Sequence, residues 1–343
     1  MLSKFSVTSI ARRLPFSVRH LGGLTHYEKY ERLRQLCCTS DVARRRAEIE
    51  CRLRPRTVEV NECCPQLPNP LLDIRCKKAM ILGGASAVGY EAAYNLLQEG
   101  VLCVIIADVD QCSGVAVAKK LCSTFGEGKA AFIMTDLRQQ PSIDMAFREI
   151  YKYFGPLHMY VNCVGVYNET PQCWDKMVRT NLIGCVRGTL LAYEYFSKCP
   201  GPDDCCQGSV IVNVTSYGSI ANIPSMPMFS AASNGISGLT TSFGQDFHFS
   251  KTRIRCVTLC AACTESGLLK NMEKFHYDRQ WVGYSSQAMK CCTKQPAKAV
   301  GKAILKAVKY GLNGSVYVIK EGKYYRYAMP DYEKLMRQET ILL

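Results

Sequence analysis

The sequence predicts an α/β fold, a doubly wound and mostly parallel sheet in a single domain behind an N-terminal extension. Three observations carry this expectation. From Lys77 onward, short apolar runs alternate with stretches of helical periodicity, the pattern of a parallel sheet covered on both faces through right-handed crossovers. Residues 101–107 (VLCVIIA) are apolar throughout, as a strand is when helices bury both its faces. Between the first apolar run and the first helical pattern lies Leu82-Gly83-Gly84-Ala85-Ser86-Ala87-Val88-Gly89, a glycine-rich turn.

The elements follow in order. The apolar run 79–82 is the first strand, and 87–99 the first helix. After the buried strand 101–107 come a helix over 111–124, a strand over 130–134, a helix over 142–154 and a strand over 157–161. A long helix is expected over 181–197, then a strand over 209–214 and a helix over 231–249. Strands over 253–258 and 315–319 flank the helix 297–310 and close the series. The Tyr- and Lys-rich stretch 321–343 carries no assignable pattern and is set apart as a C-terminal tail.

The N-terminal stretch 1–74 is expected to lie outside the domain, which spans 75–320. Residues 1–27 hold Lys4, Arg12, Arg13, Arg19 and several serines, and no acidic residue precedes Glu28. That composition fits a mitochondrial transit sequence or a disordered basic tail. Residues 28–54 are densely charged, and Pro55 would end any helix there. Pro65, Pro68 and Pro70 mark a linker, with the domain boundary near 71–75.

Composition narrows the function classes. Of the net charge of +14, residues 1–78 contribute +8, so the domain itself need not bind polyanions. No finger spacing, RNA-binding motif or basic recognition helix is present, which argues against a nucleic-acid binder. No run approaches the ~18 to 20 apolar residues of a membrane-spanning helix, and the protein is expected in the cytoplasm or mitochondria. The 20 cysteines include four adjacent pairs. In a long chain with this periodicity they read as free, reduced thiols. Cys260-Ala261-Ala262-Cys263 has redox or zinc-knuckle spacing, but no second pair or histidines follow to complete a metal site.

The glycine-rich turn has a chemical reading. Glycines there let the backbone turn tightly and approach a pyrophosphate seated on amides at the helix N-terminus. Asp108 lies 19 residues beyond Gly89, at the end of the second strand. A carboxylate at that place accepts hydrogen bonds from an adenosine ribose and repels a 2′-phosphate, which favours NAD over NADP.

Residues 77 to about 320 resemble the short-chain dehydrogenase/reductase family, in particular its NAD-dependent 15-hydroxyprostaglandin dehydrogenase-like branch and insect relatives. The family's turn is T-G-x-x-x-G-x-G. Gly83 and Gly89 match it, while Leu82 and Ala87 stand at its Thr and middle Gly. Asp136 in Thr135-Asp136-Leu137 matches the aspartate the family uses at the adenine ring. Asn162-Cys163-Val164-Gly165 is similar to N-N-A-G, keeping Asn162 and Gly165. Asn181 falls on the asparagine of the family's proton relay. The resemblance implies a Rossmann fold, NAD as cofactor, an alcohol or carbonyl as substrate, and a dimer through helices near 181–198 and 229–249. The dimer could be homomeric or formed with a related chain.

The same resemblance implies a catalytic serine, a tyrosine thirteen residues later and a lysine four beyond that. Ser216 matches the serine, but Phe229 and Ser233 stand at the other two positions. Phenylalanine keeps the ring and loses the hydroxyl that moves a proton. Serine removes the charge that lowers the tyrosine pKa and binds the nicotinamide ribose. Ala261-Ala262 likewise replaces the family's P-G. Ala87 adds a Cβ directed at the pyrophosphate or at the helix–strand contact, which weakens NAD binding. The expectation is a short-chain dehydrogenase fold without its usual acid–base pair. One alternative is an active NAD-dependent oxidoreductase with displaced groups, for which Tyr217, Tyr193 and Tyr195 are poor candidates. The other is a non-catalytic interaction protein.

Overall fold

The computed structural model describes residues 57–59, 70–198, 208–272, 274–290 and 292–328. In chain order the strands are β1 (Thr57–Glu59), β2 (Lys78–Leu82), β3 (Cys103–Asp108), β4 (Ala130–Met134), β5 (Met159–Asn162), β6 (Ser209–Ser216), β7 (Ile254–Ala261), β8 (Val316–Lys320) and β9 (Lys323–Tyr327). The helices are α1 (Ala87–Gln98), α2 (Gln111–Phe125), α3 (Gln140–Phe154), α4 (Trp174–Val178), α5 (Cys185–Ser197), α6 (Pro227–Phe243), α7 (Asp246–Thr252), α8 (Gly267–Met272), α9 (Trp281–Lys290) and α10 (Ala297–Tyr310). The sheet order is β1-β9-β8-β7-β6-β5-β2-β3-β4. Neighbours from β8 through β4 run parallel. The order therefore reverses at the β2/β5 junction, where an open α/β sheet leaves a crevice beyond its strand C-termini.

Alternation along the strands divides the core between two faces. Ala79, Ile81, Val104 and Ile106 pack with Ala92 and Leu96 of α1 and Val300 and Ile304 of α10. Met80, Leu82 and Ile105 point the other way, against Ile143 and Phe147 of α3, Leu191 of α5 and Ile236 of α6. This two-sided burial explains the unbroken apolar run read in the sequence.

Several expected boundaries move. The helix expected from 181 begins at Trp174, and α4 runs into α5 through a π-helical turn, Arg179–Gly184. No Gly or Pro interrupts 174–183, so nothing stops an earlier start. The helix expected over 231–249 starts at Pro227, in the first turn, where its missing N–H is harmless. It ends at Phe243 because Gly244 crosses the backbone of Gly314, where even a Cβ would come within 2.1 Å.

The stretch set apart as a tail supplies β9, which pairs antiparallel with β8. Glu321 (φ 54) and Gly322 (φ 75) form the two-residue left-handed turn that a tight hairpin needs. β1, within the expected extension, adds an antiparallel edge strand to β9. Residues 1–56, with the transit-like segment and most of the linker after β1, lie outside the described residues. Among the described residues no helix is long and apolar enough to cross a membrane.

Candidate active site

The glycine-rich turn is held by its own backbone. Gly83, at φ 71, donates its N–H to Ala107 O at 2.8 Å. Ser86 caps α1, accepting the Gly89 N–H at 3.1 Å and donating to Gly83 O at 2.7 Å. A Cβ at Gly89 would lie 2.3 Å from Gly83 O, so this glycine makes the close contact between helix and turn. Ala87 is the first residue of α1, exposed and on a cavity wall. Its exposure takes its methyl group out of the helix–strand contact.

Asp108 closes β3. Its Oδ2 accepts the Ala85 N–H at 3.0 Å and its Oδ1 the Asp110 N–H at 3.1 Å, tying the carboxylate to the glycine turn. Asp136 is buried and gripped by Arg138, with Nε to Oδ1 at 3.0 Å and Nη2 to Oδ2 at 2.8 Å. Those side-chain bonds, with the Arg138 N–H, hold its carboxyl below the usual carboxylate range against the opposing effect of burial. Gly83, Asp108, Asp136 and Gly165 share one cleft of about 560 Å³. At Gly165 the nearest atom to an added Cβ is Leu268 Cδ2 at 3.8 Å, so the fold leaves that spot open.

An adjoining cavity of about 570 Å³ brings Ala87, Asn162, Gly165, Asn181, Ser216, Phe229 and Ser233 together. Gly89 borders neither space. Asn181 sits in the π-helical turn and clasps Val166 with both ends of its amide, accepting its N–H at 2.9 Å and donating to its O at 2.7 Å. Asn162 accepts the Val164 N–H at 3.1 Å and donates to Asn213 Oδ1 at 3.3 Å. Both asparagines thus shape the loop after β5. Ser216, at the end of β6, accepts the Gly218 N–H at 3.1 Å.

Phe229 is 4% exposed and belongs to an apolar cluster with Tyr167, Met177, Met226 and Met272. Its ring meets that of Tyr167 edge-on, with centroids 5.6 Å apart. Ser233 lies one turn further along α6 and is buried as well. Among the described residues lining this cavity, Lys320 alone carries a formal charge. Its Nζ lies 5.9 Å from the ring centroid of Tyr217, whose ring packs against Cys260, Val316 and Val318. Tyr193 and Tyr195 are away from the cavity. The first contacts His248, and the second meets Phe147 at a tilt and Tyr151 edge-on.

Sequence reasoning missed a buried polar cluster behind Phe229. Glu169 is 0% exposed, accepts the Phe229 N–H at the start of α6, and leaves Oε2 unpartnered. Burial pushes its carboxyl up to about 7, opposed by the N–H groups of Phe229 and Met228. The Tyr167 hydroxyl lies 3.1 Å from Nδ1 of buried His276, which is also 3.1 Å from Ser225 O. His276 Nε2 and Ser225 Oγ are without partners too. Nothing in V-Y-N-E distinguishes a buried glutamate from a loop residue. The contacts that bury it come from α6 and from Phe275, whose O accepts the Glu169 N–H.

The free-thiol expectation needs one correction: Cys263 and Cys292 form a disulfide. Cys260 is not its partner. It ends the buried run of β7 with its Sγ 2.9 Å from Ser219 Oγ, whereas Cys263 lies beyond the strand on the cavity wall.

The profile of the family described as short chain dehydrogenase matches residues 77–276. 15-Hydroxyprostaglandin dehydrogenase (NAD(+)) of Rattus norvegicus is 27% identical over 256 residues, covering 74% of this chain and 94% of that protein. Fat body protein 2 of Drosophila melanogaster is 24% identical over 260 residues, covering 74% of this chain and 95% of that protein. Among solved structures, levodione reductase superposes with a TM-score of 0.63 at 18% identity, covering 73% of this chain and 98% of that one, a likeness of fold. With the profile matched across more than half its length, on a parallel sheet that reverses order beside the glycine turn, the chain belongs to the short-chain dehydrogenase family.

Proposed function

We propose that this protein binds NAD(H) in a short-chain dehydrogenase cleft and lacks the tyrosine–lysine relay that would make it an efficient alcohol dehydrogenase. The observation that carries the reading is Phe229 at the cavity wall with Ser233 one turn beyond it. At this end of α6 there is neither a hydroxyl on the ring nor a cation to tune one. Loss of a general acid–base group lowers rate by roughly 10²- to 10⁴-fold, about 3 to 5.5 kcal/mol of barrier. Ser216 and Asn181 remain, one to hold a substrate oxygen and the other to shape the loop beside it.

The cleft fits a dinucleotide. Gly83 and Gly89 bring backbone close to the α1 N-terminus, Asp108 offers a ribose acceptor, Asp136 borders the adenine end, and Gly165 leaves open space. When bound, NAD supplies the hydride acceptor. The Ala87 methyl on the ligand side narrows the approach to the turn, so affinity is lower than with glycine there. Calorimetric titration with NAD and NADH, paired with an absorbance assay on secondary alcohols, tests the reading. Binding without turnover is expected. Turnover abolished by Ser216→Ala would sink it.

A second reading, an active oxidoreductase with displaced groups, has one observation in its favour: Tyr217 and Lys320 border the same cavity as Ser216. It requires that Tyr217→Phe or Lys320→Met abolish a measurable activity. The exposed apolar residues Ile183 and Leu190, on the segment from α4 to α5, support a dimer through that segment and α6. Light scattering would return a monomer mass if this is wrong.

A further inference from the structure

Among the described residues four cysteines border the larger cavity: Cys163, Cys185, Cys263 and Cys292. The first two differ in kind from the last two. Burial pushes the thiols of Cys163 and Cys185 up to about 12, which leaves them inert. Cys263 and Cys292 are half-buried, as Cys163 is, but they are already joined to each other on the cavity wall.

Their bond, at a sequence separation of 29, closes a segment that contains α8 and α9. This segment supplies Leu268, Leu269, Met272, Ser285 and Ala288 to the cavity wall. A second, non-covalent clasp lies beside it. The N–H of Gln295 donates to Cys263 O at 2.9 Å, its O accepts the Glu265 N–H at 2.9 Å, and its Nε2 reaches Ile319 O at 3.0 Å. The segment's base therefore stays anchored to the sheet whether or not the sulfurs are joined. The disulfide adds a tie at the cavity lip itself.

We propose that Cys263 and Cys292 are a reversible dithiol–disulfide site, exchanging with low-molecular-weight thiols and disulfides, whose oxidised state holds the α8–α9 segment over the cavity and slows passage of an apolar ligand. Oxidation proceeds by exchange. One cysteine thiolate attacks a small disulfide, forming a mixed disulfide and expelling one small thiol. The second cysteine thiolate attacks the protein sulfur of that mixed disulfide and expels the other. The pair gives up two electrons and two protons, and the small disulfide becomes two thiols. This goes beyond the proposed function, because it concerns access to the cavity whether or not the cavity catalyses anything.

The test uses the full chain in glutathione buffers poised oxidising or reducing, with the neutral fluorophore N-phenyl-1-naphthylamine as probe. Tandem mass spectrometry of the alkylated protein is expected to show a Cys263–Cys292 peptide in the oxidising buffer and alkylated thiols in the reducing one. The oxidised chain is expected to release the probe several-fold more slowly. The Cys263→Ser, Cys292→Ser double variant is expected to release it at the reduced rate in both buffers. Four results would each overturn the proposal: no cross-linked peptide, a cross-link to Cys291 instead, equal release rates in the two redox states, or no probe binding in either. The comparison of oxidised with reduced wild type needs no variant, so poor folding of the double variant leaves the test intact.

Discussion

Replacing Glu169 with glutamine isolates the effect of one buried carboxyl at the start of α6. Gln keeps an oxygen to accept the Phe229 N–H and fills the same space, but it cannot ionise. In the folded chain burial raises the Glu169 carboxyl from the ordinary 4.5 to about 7. The sign follows. A raised value means that the fold favours the protonated form, so this stabilisation is complete below the ordinary carboxylate range. It is lost as pH climbs toward and through 7. The difference sets a ceiling of roughly 3 kcal/mol. About a quarter of that falls below pH 5, which leaves roughly 2–3 kcal/mol between pH 5 and pH 8. Urea unfolding at pH 5 and pH 8 is the assay. Wild type is expected to lose roughly 2–3 kcal/mol over that interval beyond the loss shown by Glu169→Gln, or roughly 4–12 °C in Tm. Identical pH dependence in the two proteins would refute the assignment of a near-neutral carboxyl to this site.

Other outcomes follow from the cleft. Phe229→Tyr with Ser233→Lys is expected to give measurable alcohol-dependent NADH formation where wild type gives none, with recovery only partial because Ala261 and Ala262 still shape the wall. A folded, NAD-binding double variant with no activity would show that more than the relay is missing. Gly89→Ala places a Cβ 2.3 Å from a backbone oxygen and is expected to destabilise the fold by about 3 kcal/mol in denaturant titration. Ala87→Gly is expected to tighten NADH binding several-fold by calorimetry while the fold stays intact, and unchanged affinity would clear the methyl of blame. Asp108→Ala is expected to weaken NADH more than NADPH, since the carboxylate repels a 2′-phosphate.

Much of the fold was legible because local signals agreed with global packing. The run through Ile105 and Ile106 could only be a strand buried on both faces. The glycine turn and Asp108 were separated in sequence by one helix and joined in space by a single parallel pair, β2 with β3. Non-local contacts were not legible. The hairpin at Glu321-Gly322 lacks the Asn-Gly signature that would have announced it, and β1 is three residues whose only reason to be extended is the edge of β9. Glu169 is buried by residues from other parts of the chain, and the partner of Cys263 among 20 cysteines was open to many pairings. Ser216, Phe229 and Ser233 were legible as a set only through the family resemblance, whose motif fixes the spacing of those three positions. Lys320 was not, since its place at the cavity depends on the β7/β8 register.

The central claim is that the frame holds a dinucleotide while the proton relay is gone. Its most direct measurement is a single-turnover experiment, with the wild-type chain saturated with NAD under calorimetric control and mixed with secondary alcohols while absorbance of the reduced nicotinamide is followed. Heat on binding NAD and no rise in absorbance are expected. A rise that disappears in Ser216→Ala would contradict it.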